Sequence, residues 1–465
     1  MDSNSINNGL LGEDMITPES LSLLVETKRY AEIKVTLENL APPDIEELFG
    51  ELPKKYHSVI FRLLSKELAA ETFALMDSDL QRDLIESFTD SELSVLISEL
   101  YVDDMVDMIE EMPASVVKRI IRHTTREDRE AINAILKFPK DSAGSIMTTE
   151  YVRFREDMTV GAALEHIREV AIDKETIYTC YVTDKNRRLI GIVTAKKLLL
   201  SSRETMLSEI METNVIAVNT GDGREEVALM FDKYGFIAVP VVDGENRLVG
   251  IVTVDDAIEV IMEESEEDFA KMAAITPTET PYLKTDVVSI WKSRIPWLLI
   301  LMISSTLSGA ILAGFESLLP AVLILFVPMI MGTGGNSGGQ SSVTVTRSIS
   351  LSELEFRDLP KVVWKEARVG IMCAVTLGVV TFLKVVFIDG MLLGNSEITY
   401  TVALVVALSL ALTIISAKLF GAMLPIFAKK IGLDPAVMAS PLITTLVDAL
   451  SLVVYFLVAS WILNI

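Results

Sequence analysis

The chain has 465 residues, of which 50% are hydrophobic, and its 65 Asp and Glu against 41 Lys and Arg give a formal net charge of −24. The last part, residues 276–465, holds 12 basic and 11 acidic residues, so nearly all the surplus acid precedes it. Such an acidic surface repels nucleic acid and anionic headgroups and attracts divalent cations, which argues against nucleic acid as a partner.

Residues 1–40 are predicted to be an N-terminal extension that is partly disordered, without the basic start and apolar core of a cleaved signal. Residues 41–140 have the pattern of an acidic α-helical domain, because leucines and isoleucines recur at spacings of three and four between turn signals. A superhelical N domain is the expected architecture. Asp104 and Asp107 are three residues apart and therefore share one helix face.

Cysteine and histidine are scarce in the chain. Two cysteines, one in each half, cannot build a disulfide framework or a thiolate metal cluster, so the soluble part is expected in the cytosol. The three histidines share no metal-ligand spacing, and any bound metal is therefore expected to have oxygen ligands.

Two α/β copies follow, at residues 141–205 and 206–262. The segment Ile146-Met-Thr-Thr149 is echoed by Ile210-Met-Glu-Thr213, and a later Gly-Ile-Val-Thr recurs in both copies. Each copy is predicted to have a helix and then a β-branched strand, which cover Val160–Val170, Thr176–Thr183, Glu225–Tyr234 and Ile237–Val242. This β-α-β-β-α tandem resembles a pair of CBS domains, which commonly bind adenine nucleotides.

The second copy carries the G-x-x-T-x-x-D spacing of that family as Gly250, Thr253 and Asp256. The resemblance implies that the Thr253 hydroxyl and the Asp256 carboxylate hold the phosphate and ribose of a nucleotide such as ATP. In the first copy Lys197 replaces the acid, which argues against a nucleotide there. The alternative is a pair that packs without a ligand.

Residues 263–285 are predicted to be an acidic connecting helix. It extends a run of acids that begins at Asp255 and includes Glu259, Glu264 and Glu267, and it is expected to continue through Ile275. Like charges at helical spacing repel one another, so a cationic partner is expected to stabilise this helix.

Residues 286–465 are predicted to be an all-α transmembrane domain. Five apolar segments fit the ~20 residues needed to cross a bilayer core, and they run over Ile290–Leu312, Leu318–Gly339, Val369–Phe387, Ile398–Phe427 and Ala436–Leu463. Basic residues concentrate before the first segment, between the second and third, and after the fourth. This distribution predicts a multi-pass protein of the cell membrane with cytoplasmic N-terminal domains and the C-terminus outside.

Asp448 is the only ionisable residue in the fifth segment. A carboxylate at that depth costs about 2.5–3.5 kcal/mol, so it is expected to face a water-filled path or a bound cation. The alternative is a buried acid held by a neighbouring hydroxyl. Thr444 and Thr445, one turn earlier, would supply further oxygens near an ion.

The second segment ends in a glycine-rich polar stretch, Gly332–Gln340, whose backbone must be buried against protein or line an aqueous cavity. Thr333 and Asn336 are candidate pore-lining residues. Close helix packing at the glycines is the alternative, and both can hold together. Pro328, Pro425 and Pro441 each remove a helical hydrogen bond and predict kinks.

In chain order, the acidic helical domain, the CBS pair, the connecting helix and five spans resemble the MgtE family of Mg²⁺ channels and transporters. The most specific matches are Asp141-Ser-Ala-Gly-Ser-Ile-Met-Thr-Thr149, Gly332-Thr-Gly-Gly-Asn-Ser-Gly338, Gly421-Ala-Met-Leu-Pro425, and Pro441 with Thr445 and Asp448. The resemblance implies a homodimer in the lipid bilayer with the pore between subunits, lined by Asp448 and Asn336.

The same resemblance implies regulatory Mg²⁺ sites between the cytoplasmic domains. Matched onto this chain, their residues are Asp256, Glu259, Glu264 and Glu267, with Asp104 and Asp107 opposite. Gly235 stands where some relatives carry an acid, so one such site is expected to be weakened or absent.

The expected function is a Mg²⁺-selective divalent cation channel or transporter that is gated by cytosolic Mg²⁺ and tuned by ATP. A proton- or Na⁺-coupled carrier that uses Asp448 as its coupling site stays open, as does a membrane-anchored nucleotide sensor without transport. An enzyme is disfavoured, because the sequence shows no nucleophile and base pair and no phosphate-cradling loop.

Overall fold

A computed structural model of the chain describes residues 17–171, 174–278, 282–283, 285–316, 320–438 and 440–464. It divides into two compact units that meet between Ile261 and Met262. Residues 1–16, the first part of the predicted extension, lie outside the described residues, as does the predicted start of the second span at Leu318.

The first unit begins, in its described part, with ten short helices. They are α1 (Pro18–Glu26), α2 (Tyr30–Leu37), α3 (Pro42–Glu51), α4 (Lys54–Phe61), α5 (Lys66–Ala74), α6 (Ser78–Ser87), α7 (Asp90–Ile97), α8 (Val102–Glu111), α9 (Ala114–His123) and α10 (Arg126–Ile135). Side chains such as Asp77 and Thr125 accept backbone N–H groups at helix starts. The apolar faces meet in one core, which confirms the helical N domain, and Leu21 and Leu37 bring residues 17–40 into it.

The α/β pair has the predicted order. The first copy comprises β1 (Tyr151–Arg155), α11 (Val160–Val170), β2 (Thr176–Thr183), β3 (Leu189–Thr194) and α12 (Ala195–Leu200); the second comprises α13 (Leu207–Ile210), β4 (Val218–Asn219), α14 (Arg224–Tyr234), β5 (Ala238–Val242) and β6 (Leu248–Thr253). Each forms a three-stranded sheet in which the first two strands are parallel and the last two antiparallel. The tandem CBS-like architecture is confirmed.

The duplicated segments Ile146-Met-Thr-Thr149 and Ile210-Met-Glu-Thr213, here called markers, each pair with a strand of the other copy. Thr148 exchanges two backbone hydrogen bonds of 2.8 and 2.9 Å with Ile251 of β6, and Glu212 does the same with Ile192 of β3 at 2.9 and 3.0 Å. A methyl group on Gly250 would lie 2.6 Å from the Met147 sulfur, so the close strand contact requires glycine there. Each marker therefore completes the other copy, which gives the repeat a structural explanation.

The connecting helix is α15 (Val254–Met272), which begins in the first unit and ends in the second. It is shorter than predicted, because Ala274 has a left-handed φ of 53° and the Ile275 N–H bonds back to the Ala270 carbonyl at 2.9 Å. Pro277 also disfavours helical geometry at the residue before it.

The second unit contains five helical segments, within its described residues, that are long and apolar enough to cross a membrane. Their helices are α16 (Val287–Glu316), α17 (Ala321–Ile324), α18 (Val327–Ser350), α19 (Leu359–Lys384) with a π-helical continuation (Val385–Leu392), α20 (Tyr400–Lys430) and α21 (Ser440–Leu463). The helices α18 to α21 pack on one another, whereas α16 packs mainly against α21.

Two of the three prolines predicted to kink helices stand in the first turn of a helix. Pro328 lies in the first turn of α18 and Pro441 is the second residue of α21, where a missing N–H has no helical acceptor to lose. Both prolines therefore start helices. Pro425 does lie inside a helix, α20.

Candidate functional site

The glycine-rich stretch is helical throughout and forms part of α18. Gly334, Gly335 and Gly338 are buried. A methyl group on Gly421 of α20 would overlap the carbonyl oxygen of Gly338, and one on Gly338 would lie 2.9 Å from the Val447 side chain of α21. Close helix packing, the alternative considered for these glycines, is thus present in the structure.

The opposite face of α18 is polar and exposed. Gly332, Asn336, Gln340 and Thr344 are exposed and follow one another at intervals of four residues, which places them on one face. Thr333 is half-buried beside them. Polar side chains at membrane depth do not face lipid, so this stripe requires water or another protein surface.

Asp448 lies half-buried on α21 beside this helix. A methyl group on Gly335 would lie 3.5 Å from its Oδ1 atom and 2.8 Å from Cγ2 of Thr444. The structure therefore brings Asp448 and Thr444 against the residue that precedes Asn336. The Thr445 hydroxyl donates to the Pro441 carbonyl at 3.1 Å and is used within its own helix.

Sequence reasoning missed Lys418 as a charged residue within an apolar span. Lys418 of α20 is 5% exposed, and its Nζ atom lies 3.4 Å from the Ser341 hydroxyl of α18. That hydroxyl in turn donates to Glu366 of α19 at 2.6 Å. The signal was available, since Lys418 is the only charged residue in the predicted span Ile398–Phe427.

The first unit holds a cluster of carboxylates that surrounds the start of α15. Its members come from α8, from the residues just before β1 and β2, and from the first turns of α15; we call them the acidic cluster, and they are Asp103, Asp104, Asp107, Glu150, Glu175, Asp255, Asp256 and Glu259. Four of the six predicted regulatory residues, Asp104, Asp107, Asp256 and Glu259, thus lie together.

Glu150 and Glu175 were not predicted as site residues. Each directly precedes a strand, and because β1 and β2 are parallel neighbours the two acids begin the same sheet edge. The Glu175 N–H donates to the Glu150 carbonyl at 2.9 Å. A sequence signal existed in an acid placed just before each strand, but using it required knowing that the strands are adjacent.

Burial and mutual repulsion raise the pKa of the clustered carboxyl groups. Burial, followed by repulsion from Asp255 and other acids, raises the pKa of Asp104 to about 6 and that of Glu175 to about 8. Burial likewise raises the pKa of Asp256 to about 7, against the Thr253 hydroxyl bond that lowers it. The pKa of Asp103 is also raised, first by burial and then by Asp256.

Asp107 is exposed, as are Asp255 and Glu259, whereas the other members of the acidic cluster are half-buried. Surrounding protein atoms and then Glu259 and Asp256 raise the pKa of Asp107 in the same direction. Since water reaches this carboxylate and screens its charge, we place it at the rim of the acidic cluster.

Some oxygens of the acidic cluster have hydrogen-bond donors within the described residues, and one oxygen does not. Glu150 accepts the Val102 N–H at 3.0 Å, which caps the start of α8 with a negative charge. Within the described residues, Oε2 of Glu175 is buried without a hydrogen-bond partner. Carboxylate oxygens suit Mg²⁺ chemically, yet no three His, Cys, Asp or Glu side chains in the described part stand at metal-ligand spacing.

Glu264 and Glu267 lie further along α15, in the second unit. Glu267 binds the Lys271 ammonium at 2.7 Å, and Lys271 binds Asp434, before α21, at 2.7 Å. Asp268 accepts the Ser350 hydroxyl of α18 at 2.7 Å. The cationic partner expected for this helix is therefore supplied in part by its own lysine.

The nucleotide motif of the second copy has a local role. The Thr253 hydroxyl donates to Asp256 at 2.6 Å, at the first turn of α15. Thr194 of the first copy accepts the Lys197 N–H at the matching position, at the start of α12. Both threonines thus begin helices, and in the second copy the two predicted nucleotide contacts are bonded to each other.

Family models match most of this chain. The model described as a divalent cation transporter, MgtE, matches residues 327–458. The model of the MgtE intracellular N domain matches residues 40–141, and the CBS domain model matches residues 143–204 and 207–263.

Curated relatives match along nearly the full length. The magnesium transporter MgtE of Thermus thermophilus is 36% identical over 93% of this chain and 95% of its own, and that of Bacillus subtilis is 31% identical over 94% and 95%. Among solved structures, the cytosolic domain of the Mg²⁺ channel MgtE in complex with ATP is 35% identical, with a TM-score of 0.50 over 52% of this chain and 99% of that one. The soluble part of a magnesium transporter is 29% identical, with a TM-score of 0.50 over 53% and 98%.

Proposed function

Because this chain belongs to the MgtE family of magnesium transporters, we propose that it forms a Mg²⁺-selective path across the cell membrane that closes when cytosolic Mg²⁺ is high. Transport of Mg²⁺ is the established activity of the relatives it matches. The selective path, its control by Mg²⁺ and its tuning by ATP are the parts that we propose.

The placement of Asp448 against Gly335 carries the proposal. It joins the one acid of α21 to the helix that bears the exposed stripe of Asn336, Gln340 and Thr344. Since that stripe needs a wet or protein surface, we propose a homodimer in which two α18 helices and two α21 helices enclose the path. Two Asp448 carboxylates would then face each other across the axis.

Such a pair suits Mg²⁺ as substrate. The ion is small and gives up its waters reluctantly, so one or two carboxylates bind it while it keeps several waters. An empty carboxylate pair repels itself, which favours a divalent over a monovalent cation. Thr333, Thr444 and Thr445 are proposed to line the path near this ion.

Regulation is proposed to depend on the acidic cluster. Mg²⁺ bound among Asp104, Asp107, Asp256 and Glu259 would offset their repulsion and favour the compact state of the first unit. The helix α15, which continues into the second unit with Glu264 and Glu267, would transmit that preference and shut the path. When Mg²⁺ falls, repulsion would spread the cluster and open the path.

ATP is proposed to bind at the second copy of the CBS pair, through Thr253 and Asp256. Support comes from the solved relative whose cytosolic domain holds ATP. Because Asp256 also belongs to the acidic cluster, nucleotide and Mg²⁺ would act on the same equilibrium. Following the basic residues of the connections, we place the N-terminal domains in the cytoplasm and the C-terminus outside.

Transport is tested by ion uptake into proteoliposomes that contain the full chain, with Mg²⁺, Co²⁺, Mn²⁺ and Ca²⁺ compared. We expect Asp448→Ala to reduce Mg²⁺ uptake by on the order of a hundredfold, since a close charge pair contributes about 1.5–7 kcal/mol to binding. Asp448→Asn keeps the shape and removes the charge, so it separates charge from packing. Uptake by Asp448→Ala equal to that of the wild type would reject the path.

Patch recordings separate the proposal from a proton- or Na⁺-coupled carrier. Channel currents reverse at the Mg²⁺ equilibrium potential, whereas coupled flux follows the proton or Na⁺ gradient. The same recordings test regulation: if neutralising Glu259, Glu264 and Glu267 together leaves inhibition by cytosolic Mg²⁺ unchanged, the feedback proposal fails.

A further inference from the structure

Lys418 is a buried cation that the permeation path described above does not use. Its side chain is 5% exposed, inside the long apolar helix α20. A lysine at membrane depth is costly, and where one persists it faces the interior of the bundle and has a specific partner. The partner and its surroundings therefore indicate what the charge does.

The partner is a chain of two groups on two other helices. The Lys418 ammonium lies 3.4 Å from the Ser341 hydroxyl of α18, and that hydroxyl donates to Oε2 of Glu366 on α19 at 2.6 Å. A hydroxyl can accept one hydrogen bond while donating another, so the ammonium, hydroxyl and carboxylate form one directed relay. The relay joins α18, α19 and α20.

Glycines allow the three helices to meet at this point. A methyl group on Gly370, one turn after Glu366, would lie 3.8 Å from Cδ of Lys418, so the lysine stem runs along α19. Gly421, three residues after Lys418, contacts Gly338, three residues before Ser341. The relay therefore stands beside the closest crossing of α18 and α20.

The same helix α18 carries the backbone that faces Asp448. Gly335 lies against the Asp448 carboxylate and Ser341 is six residues later, about 9 Å along the axis at 1.5 Å per residue. A slide or rotation of α18 would move Gly335, and with it the exposed Asn336, relative to Asp448. A relay that fixes Ser341 from two neighbouring helices also fixes Asn336.

We propose that Lys418 is a positioning residue of the permeation path: through Ser341 and Glu366 it holds α18 at the height and rotation that keep Gly335 against Asp448 and turn Asn336 toward the path. The inference rests on the proposed path at Asp448 and adds to it the device that keeps that path aligned. Lys418 itself touches no ion.

The test compares Mg²⁺ uptake over a range of Mg²⁺ concentrations in proteoliposomes that contain the full chain. Lys418→Met with Glu366→Gln removes both charges together and leaves neither buried without a partner, so the fold is expected to survive. Ser341→Ala breaks the relay without changing a charge. The matched control is Lys384→Met with Asp389→Asn, another lysine and acid pair, 2.7 Å apart, at the far end of α19.

We expect the Lys418 and Glu366 double variant to unfold near the wild-type temperature and to need at least about tenfold more Mg²⁺ for half-maximal uptake, since small misplacements of a binding group cost large factors. Ser341→Ala should raise that concentration about tenfold or more, since a hydrogen bond to a charged group is worth about 1.5–3 kcal/mol. The control pair should leave it unchanged.

A purely structural role for Lys418 gives the opposite result. The double variant would then recover wild-type half-saturation together with wild-type thermal stability, which overturns the inference. If the double variant is not recovered from membranes, Ser341→Ala decides alone, because an unchanged uptake curve also overturns it. Failure of the proposed function is distinct, because the wild-type protein would then take up no Mg²⁺.

Discussion

The two units differ in how their charged side chains are paired. In the second unit an acid or a hydroxyl lies within hydrogen-bond distance of each of Lys271, Lys384 and Lys418. In the first unit, members of the acidic cluster lie beside other acids. A charge that meets its partner inside the chain stabilises one arrangement of the helices. A carboxylate whose neighbours are carboxylates destabilises the compact arrangement until a proton or a cation is supplied. These lysines of the second unit therefore have partner groups within the chain. The acidic cluster, unlike ion pairs elsewhere in the first unit such as Lys54 with Asp83, gains stability from protons or cations in the solvent.

The largest expected effect concerns the packing of the second unit. Gly421→Ala places a methyl group against the Gly338 carbonyl, and overpacking of this kind costs about 1–3 kcal/mol or more. We expect a lower unfolding temperature in detergent and a large loss of Mg²⁺ uptake. Because the overlap with the Gly338 carbonyl is steric, added Mg²⁺ should not restore either quantity.

Gly314→Ala is the matched control, since a methyl group there meets nothing within 4 Å and Gly314 lies in the long apolar helix α16. It should unfold at the wild-type temperature or slightly above, given the helix propensity of alanine. Equal behaviour of the two alanine variants would mean that the α18 and α20 crossing is not tight, and the contrast between the units would lose its basis.

The next effect concerns the dependence of the first unit on cations. A ligand that binds only the compact state at a hundred times its Kd stabilises that state by about 2.7 kcal/mol. We therefore expect Mg²⁺ to protect the cytoplasmic region of the full chain from limited proteolysis. Asp104→Asn with Asp107→Asn should remove most of this protection.

Glu51→Gln with Glu99→Gln removes the same amount of charge at exposed positions outside the acidic cluster. This control should keep the wild-type protection. Loss of protection in both double variants would assign the effect to net charge, and the acidic cluster would no longer be distinct from the rest of the acidic surface.

Sequence patterns located Asp448 because a lone carboxylate in an apolar run is visible without any structure. Lys418 has the same signature, but its contact with Ser341 and Glu366 depends on the rotation of three helices, which hydropathy does not give. Glu150 and Glu175 come together only through the parallel pairing of β1 and β2. Order along the chain thus predicted the elements and the domains they form, while contacts between distant segments had to come from the fold.

Proline and glycine positions show the same limit of prediction from sequence, here within single helices. Composition identified Gly332–Gln340 as unusual, but the choice between an aqueous lining and close packing depends on which face of α18 meets its neighbours. The structure uses both faces, with Gly335 and Gly338 buried and Asn336 exposed. Pro328 and Pro441 were visible as breaks in helical bonding, yet their place in the first turn followed from helix boundaries that hydropathy locates poorly.

A smaller effect follows from the raised pKa values of the acidic cluster. The folded pKa of Glu175, about 8, and of Asp104, about 6, exceed those of unfolded carboxyl groups, so protonation favours the compact state. Its stabilisation is complete below the unfolded pKa near ~4 and is lost as pH rises through about 6 to 8. Without Mg²⁺, protease resistance of the cytoplasmic region should fall over that range.

Glu175→Gln removes a group whose pKa is raised to about 8 and should flatten the upper part of this pH profile. Protons and Mg²⁺ compete for the same oxygens, so the Mg²⁺ concentration that gives half-maximal protection should rise as pH falls from 8 to 6. A half-maximal concentration independent of pH would show that Mg²⁺ binds elsewhere.

The smallest expected effect concerns Lys271, whose ammonium neutralises acids that a bound Mg²⁺ ion could also neutralise. Its ammonium bonds Glu267 and Asp434, both partly exposed, and such pairs are worth about 0.2–1 kcal/mol each.

Lys271→Met removes the charge and leaves three acids, Glu267, Asp268 and Asp434, without it. We expect half-maximal inhibition in patch recordings at low salt to need about two- to fivefold less cytosolic Mg²⁺, because Mg²⁺ then supplies the counter-charge that the lysine provided. Lys54→Met, which removes an exposed salt bridge to Asp83, is the control. The Lys271→Met variant could instead be inhibited like the wild type at every Mg²⁺ concentration. The Lys271 charge would then not be needed for inhibition, and paired charges in the second unit would matter only where they are buried as deeply as Lys418.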